Sequence, residues 1–197
     1  MGEAARLFLF TGHPKAGSLS AGLADAYQRG AETLGAEVRR MDLCDMRFDP
    51  NLADGYAKFQ PLEDDLVAWK AALSWCSHTA WVFPLWWGTM PAKMKGVVDR
   101  CLVPGYAYKF REGGSLWDKL LTGRTADLLV TSDTPAPFMT LSYGNPVKKQ
   151  MTRQVLGFCG IKTTRYSLFS PVRKADGATI DGWKRRAHSY GAEAGRR

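Results

Sequence analysis

The chain has 197 residues, of which 45% are hydrophobic and 23% charged, with a formal net charge of +8. This suits one globular domain, taken as residues 1–197, and excludes a disordered or fibrous protein. No apolar run approaches the roughly 18 residues of a membrane span. Leu7-Phe8-Leu9-Phe10 is stopped by Gly12 and Pro14, too early for the core of a secretion signal, so a cytoplasmic location is expected.

Residues 6–11 read as a short buried strand. After a turn at 13–17, Ser18 or Ser20 offers a helix N-cap. The helix runs to about Leu34, with Leu19, Leu23, Ala26/Tyr27 and Leu34 on one face, and Gly35 stops it. Residues 36–41 form a second strand. Residues 42–60 hold Asp, Pro, Asn and Gly and read as loop, followed by a helix over 62–77. Residues 78–85 are an almost uninterrupted apolar run, a third buried strand. Pro91 opens the next helix.

Residues 103–123 read as a long excursion, 125–132 as a fourth strand, and 133–145 as a second long loop. A helix over 145–158, a fifth strand over 161–167 and a helix over 181–192 complete the pattern. Alternation of strand and helix implies a parallel sheet covered on both faces. Right-handed crossovers make it doubly wound, with order 2-1-3-4-5. Ligands of such sheets bind beyond the carboxyl ends of the strands, where the order reverses. Three loops therefore matter: 12–20, 84–91 and 131–145.

The first loop precedes a helix whose N-terminus suits a phosphate. His13, Lys15, Ser18 and Ser20 add donors. It matches neither the G-x-G-x-x-G fingerprint nor a P-loop, and a capped turn without ligand is the competing reading. The second loop, Pro84-Leu85-Trp86-Trp87-Gly88, puts two indoles at the end of a buried strand. A planar ligand stacked on them explains this, as does packing against helices or another subunit. The third loop begins Thr131-Ser132-Asp133; its backbone faces the other two, or Asp133 is a plain turn cap.

Cys44, Cys76, Cys101 and Cys159 form no C-x-x-C pair and read as small buried hydrophobes; no metal site is expected. The positive charge is scattered except at Lys184-Arg185-Arg186 and Arg196-Arg197. A nucleic-acid role would rest on charge alone, with no recognition motif.

The stretch Phe83-Pro84-Leu85-Trp86-Trp87-Gly88-Thr89-Met90-Pro91-Ala92-Lys93-Met94-Lys95-Gly96, with Asp99-Arg100 and Gly105-Tyr106-Ala107-Tyr108, resembles the NAD(P)H dehydrogenase (quinone) family of flavodoxin-like oxidoreductases. The first loop, Phe158-Cys159-Gly160 and Gly182-Trp183-Lys184 are similar too. The resemblance implies a flavodoxin-like three-layer sandwich and a homodimer with FMN or FAD at the subunit interface. It implies hydride transfer from NAD(P)H to flavin and on to a quinone.

Carried over by position, His13, Lys15, Ser18, Leu19 and Ser20 hold the flavin phosphates. Pro84, Leu85, Trp86, Trp87 and Gly88 line the ring, and Thr131 and Ser132 reach its polar edge. Trp87, Tyr108 and Phe110 bind substrate, the last two across the partner's site. The family's hydride-assisting Tyr and His have no match: Met139 and Asn145 stand near their places, leaving Tyr143 as the catalytic candidate. Ser20 replaces an Asn, and Asp133-Thr134-Pro135 a Thr-Gly-Gly. A second reading is a flavin- or nucleotide-binding regulatory subunit that docks on a transporter or other partner.

Overall fold

The computed structural model describes residues 4–196; Arg197 of the terminal basic pair lies outside them. Strands β1 (Arg6–Thr11), β2 (Glu37–Asp42) and β3 (His78–Pro84) alternate with helices α1 (Leu19–Thr33), α2 (Asp64–Trp75) and α3 (Ala92–Cys101). A two-stranded antiparallel ribbon follows, β4 (Tyr108–Phe110) and β5 (Trp117–Lys119). Then come β6 (Thr125–Thr131), α4 (Ala136–Leu141) and a continuous helical stretch with three parts. These are α5 (Pro146–Lys149), a π-helical segment (Gln150–Val155) and α6 (Leu156–Cys159). The chain ends with β7 (Lys162–Phe169) and α7 (Gly177–Ala194).

The sheet is parallel in the order β2-β1-β3-β6-β7, which is the expected 2-1-3-4-5 counted over its own five strands. Every residue of β3 is buried, as a central strand covered on both faces requires. On one face Phe8, Phe10, Trp69 and Trp81 meet edge to face with centroids 5.6–5.7 Å apart, the favoured geometry for aromatic rings. On the other, α1 and α7 pack on Leu7, Leu9, Val82 and Leu129. Register brings Pro84, Thr131 and Phe169 to the same level, so the loops after β1, β3 and β6 leave from one edge.

Four expectations need correction. The 103–123 excursion holds the β4–β5 ribbon, in which Tyr108 pairs with Lys119 and Phe110 with Trp117; three-residue strands are too short to show alternation. The 133–145 loop holds α4, whose prolines stand at its N-terminus, where a missing N–H does no harm. The last helix starts at Gly177 rather than near 181, because Asp176 caps it by accepting from the Thr179 amide at 2.8 Å. Pro91 is the N-cap of α3, one place before the helix.

Candidate functional site

The three loops surround a cleft of about 1000 Å3. From the first, His13, Lys15, Ser18, Leu19 and Ser20 line it. Ser18 caps α1, its Oγ accepting from the Ala21 amide at 3.2 Å. The Leu19 and Ser20 amides lie in the first turn, where no intrahelical acceptor exists. Ser20 is buried, its hydroxyl 3.4 Å from that of Thr131.

His13 is partly buried. Burial first, and the Lys15 charge second, lower its pKa below the usual 6.5, so the ring is neutral at pH 7. Its Nδ1 accepts the Lys15 amide at 3.0 Å. The ring proton therefore sits on Nε2, which is left as a donor.

The second loop contributes Pro84, Leu85, Trp86, Trp87 and Gly88. Trp86 and Thr89 exchange backbone hydrogen bonds at 2.9 and 3.0 Å, closing a two-residue turn. Trp87 and Gly88 have φ of 50° and 79°, the signature of a type I′ turn. Glycine accepts that backbone freely; a tryptophan does not. The turn leaves the Trp87 indole fully exposed. Trp86, at the cleft wall, meets the His13 ring edge-on with centroids 5.4 Å apart.

From the third loop, Thr131 and Ser132 line the floor. Ser132 Oγ accepts from the Thr134 amide at 3.0 Å, and Asp133 from the Arg173 amide at 2.7 Å, which fixes the loop. Tyr143 also faces the cleft, half exposed and edge-on to Phe138 at 5.0 Å.

Tyr108 and Phe110 lie elsewhere: neither lines the cleft of its own chain. Tyr108 is buried against Phe158, with centroids 4.9 Å apart, while Phe110 is 56% exposed. The sequence did not single out Gly17, Ser142, Pro146 or Val172 as lining residues; all but Gly17 lie beyond β6, where the topological rule alone points. Among the described residues no group of three His, Cys, Asp or Glu could hold a metal ion, and no helix is long and apolar enough to cross a membrane.

The cleft has the shape and donor set of a flavin site. Free amides and a neutral imidazole N–H at one end suit a phosphate. Exposed indoles and Gly88 at the other suit a flat ring. The residues fit the group.

Comparison with known proteins agrees with the fold. Rat NAD(P)H dehydrogenase [quinone] 1 is 23% identical over 96% of this chain and 78% of its own. A Penicillium crustosum ribosyldihydronicotinamide dehydrogenase-like protein is 30% identical over 64% of this chain; the match spans 57% of that protein. Among solved structures, the NAD(P)H:quinone oxidoreductase of Methanothermobacter marburgensis superposes with a TM-score of 0.78 at 21% identity, covering 96% of this chain and 98% of that one. An FMN-dependent NADH-azoreductase of Bacillus anthracis, in complex with FMN, gives 0.72 at 14%, covering 97% and 99%. Residues 5–190 match the family described as Flavodoxin-like fold, and the chain belongs to that family.

Proposed function

We infer that the chain is a flavin-dependent NAD(P)H:quinone-type oxidoreductase, a single cytoplasmic domain working as a homodimer. The observation that carries this reading is the convergence of the phosphate-type loop at 13–20 with the wholly exposed Trp87 on one cleft. The names of the rat and Penicillium crustosum relatives, a quinone and a ribosyldihydronicotinamide dehydrogenase type, support the same reading.

A bound flavin, FMN or FAD, supplies two-electron redox chemistry that no side chain here carries. The protein's part is placement. The Leu19 and Ser20 amides and the His13 Nε2 proton bind the phosphate. Trp86, Trp87 and Gly88 lie along the ring, and Thr131 and Ser132 offer main-chain groups to its polar edge. Trp87 forms one wall of the substrate slot. Phe110, and Leu116 at 65% exposure near the same ribbon, are the apolar surface a partner subunit would use. Tyr143 is the hydroxyl available beside the acceptor.

The test is direct. Purified protein should be yellow and should oxidise NADPH or NADH when menadione or benzoquinone is added; the mass of the released chromophore separates FMN from FAD. Colourless protein whose melting temperature neither flavin raises overturns the reading. Bound flavin without turnover would favour the regulatory subunit instead.

A further inference from the structure

A second groove, of about 640 Å3, runs beside β7, an edge strand of the sheet. Lys119, Lys148, Lys162 and Arg165 line it, with Thr122 and Thr152 between them. No carboxylate is among its lining residues. It continues into a smaller groove of about 350 Å3 that shares Lys148 and Tyr166 and adds Arg186, again without a carboxylate.

What sets this groove apart is that its cations share one concavity. Lys58, Lys95 and Arg111 each sit against an aspartate. Arg165 is committed to Asp127 and Glu193. Lys119, Lys148 and Lys162 have no carboxylate partner among the described residues, and they converge. Gathering like charges in one concavity is unfavourable, and a bound polyanion relieves it. Two buried polar atoms beside the groove, Thr163 Oγ1 and the Tyr166 hydroxyl, also lack hydrogen-bond partners.

Lysines commonly guard an exposed strand edge against pairing. That accounts for Lys162 on β7. It does not account for Lys119 or Lys148, which reach the groove from the ribbon and from α5. Three ammonium groups with nine N–H donors face one groove, and a chain of phosphates, rich in acceptor oxygens, matches them better than isolated carboxylates.

We propose that the groove beside β7 binds a polyphosphate chain, independently of the cleft described above. The two share no lining residue. The segment 136–148 stands near both: Met139, Ser142, Tyr143 and Pro146 line the cleft, while Ala136, Thr140, Asn145 and Lys148 line the smaller groove. The chain could belong to a nucleotide or be inorganic, since the recognising chemistry is the same.

Isothermal titration of the full-length protein at low salt, with tripolyphosphate and with ATP, tests this. The expected result is saturable binding, weakened at least tenfold by the double variant K148E/K162E and less by K148Q/K162Q. The cleft variant K15E should leave affinity within twofold. All these positions are solvent-exposed, and circular dichroism confirms that each variant is folded. ATP binding more tightly than tripolyphosphate assigns the chain to a nucleotide; equal affinities assign it to polyphosphate itself, and both support the site. No saturable binding, or binding lost in K15E and kept in K148E/K162E, overturns it.

Discussion

Gly191 of α7 rests on the carbonyl group of Tyr27 in α1, so closely that a Cβ at 191 would overlap the Tyr27 oxygen and lie 2.8 Å from its carbon. Gly30 of α1 stands in the same relation to the His188 carbonyl. The two helices therefore pack backbone to backbone on one face of the sheet. Gly191→Ala gains at most about 1 kcal/mol of helix propensity. The forced separation of the helices costs more, typically about 1–3 kcal/mol for overpacking. Urea denaturation should show a net loss of about 1 kcal/mol. Gly177→Ala, where a Cβ meets nothing within 4 Å, should be neutral or slightly stabilising. Equal midpoints for wild type and Gly191→Ala would refute the close approach.

The same Tyr27 serves a second structure through its hydroxyl, which donates to Asp127 at 3.0 Å and lies 3.0 Å from His78 Nε2. Asp127 is fully buried and also accepts from Thr164 at 2.8 Å and Arg165 at 3.1 Å. Burial by itself raises this carboxyl's pKa. His78, Thr164 and Arg165 more than offset it and hold the value below 3.8. A depressed folded pKa contributes stability that is present above the unfolded value and lost as pH falls through the folded one.

Wild-type stability should therefore decline below about pH 4, the unfolded carboxylate value. Asp127→Asn should lose about 2 kcal/mol at pH 7, since Tyr27, Thr164 and Arg165 lose a charged acceptor, while Arg165 keeps Glu193. Its decline from pH 4 to pH 3 should be shallower. Urea melts at pH 7, 4 and 3 compare the two; parallel profiles would remove Asp127 as the cause.

Thiol reactivity follows from burial. Desolvation pushes Cys76 and Cys159 up to about 11 and Cys101 up to about 12, so none is a thiolate at pH 8, and all three are enclosed. Cys44 is partly exposed. Ellman's reagent at pH 8 should modify no more than one thiol per folded chain at first, at Cys44, and all four in denaturant. Rapid labelling of three or four in native buffer would contradict the buried assignment.

Ser18 separates stability from binding. Ser18→Ala removes the cap of α1 and should cost about 1 kcal/mol; Ser18→Gly should cost only a few tenths. Both delete a hydroxyl that lines the cleft. If flavin phosphate binds there, both should weaken FMN at least about tenfold, read from flavin fluorescence. Unchanged affinity in the glycine variant would move the phosphate elsewhere.

The sheet order was legible because β1, β3 and β6 are compact apolar runs, and the polar edge strands β2 and β7 fall where the alternation with helices requires a strand. The cleft was legible for the same reason, since strand ends and the reversal of strand order determine which loops meet. The β4–β5 ribbon was not, because three-residue strands such as Tyr108–Phe110 carry no period. Nor was α4, because Pro135, Pro137 and Gly144 read as turn signals whether or not a helix lies between them. The basic groove escaped because Lys119, Lys148 and Lys162 are far apart in the chain and only the packing of α5 beside β7 unites them.

The turn at Trp87-Gly88 has an evolutionary consequence. Asparagine is the residue that backbone favours at position 87, and a bulky ring there carries a conformational burden on the order of 1 kcal/mol. Populations selected for heat resistance alone should drift toward Asn, Asp or Gly at this codon. Populations selected for turnover should retain the indole, so the two lineages would diverge first at a site that touches almost nothing in the folded chain.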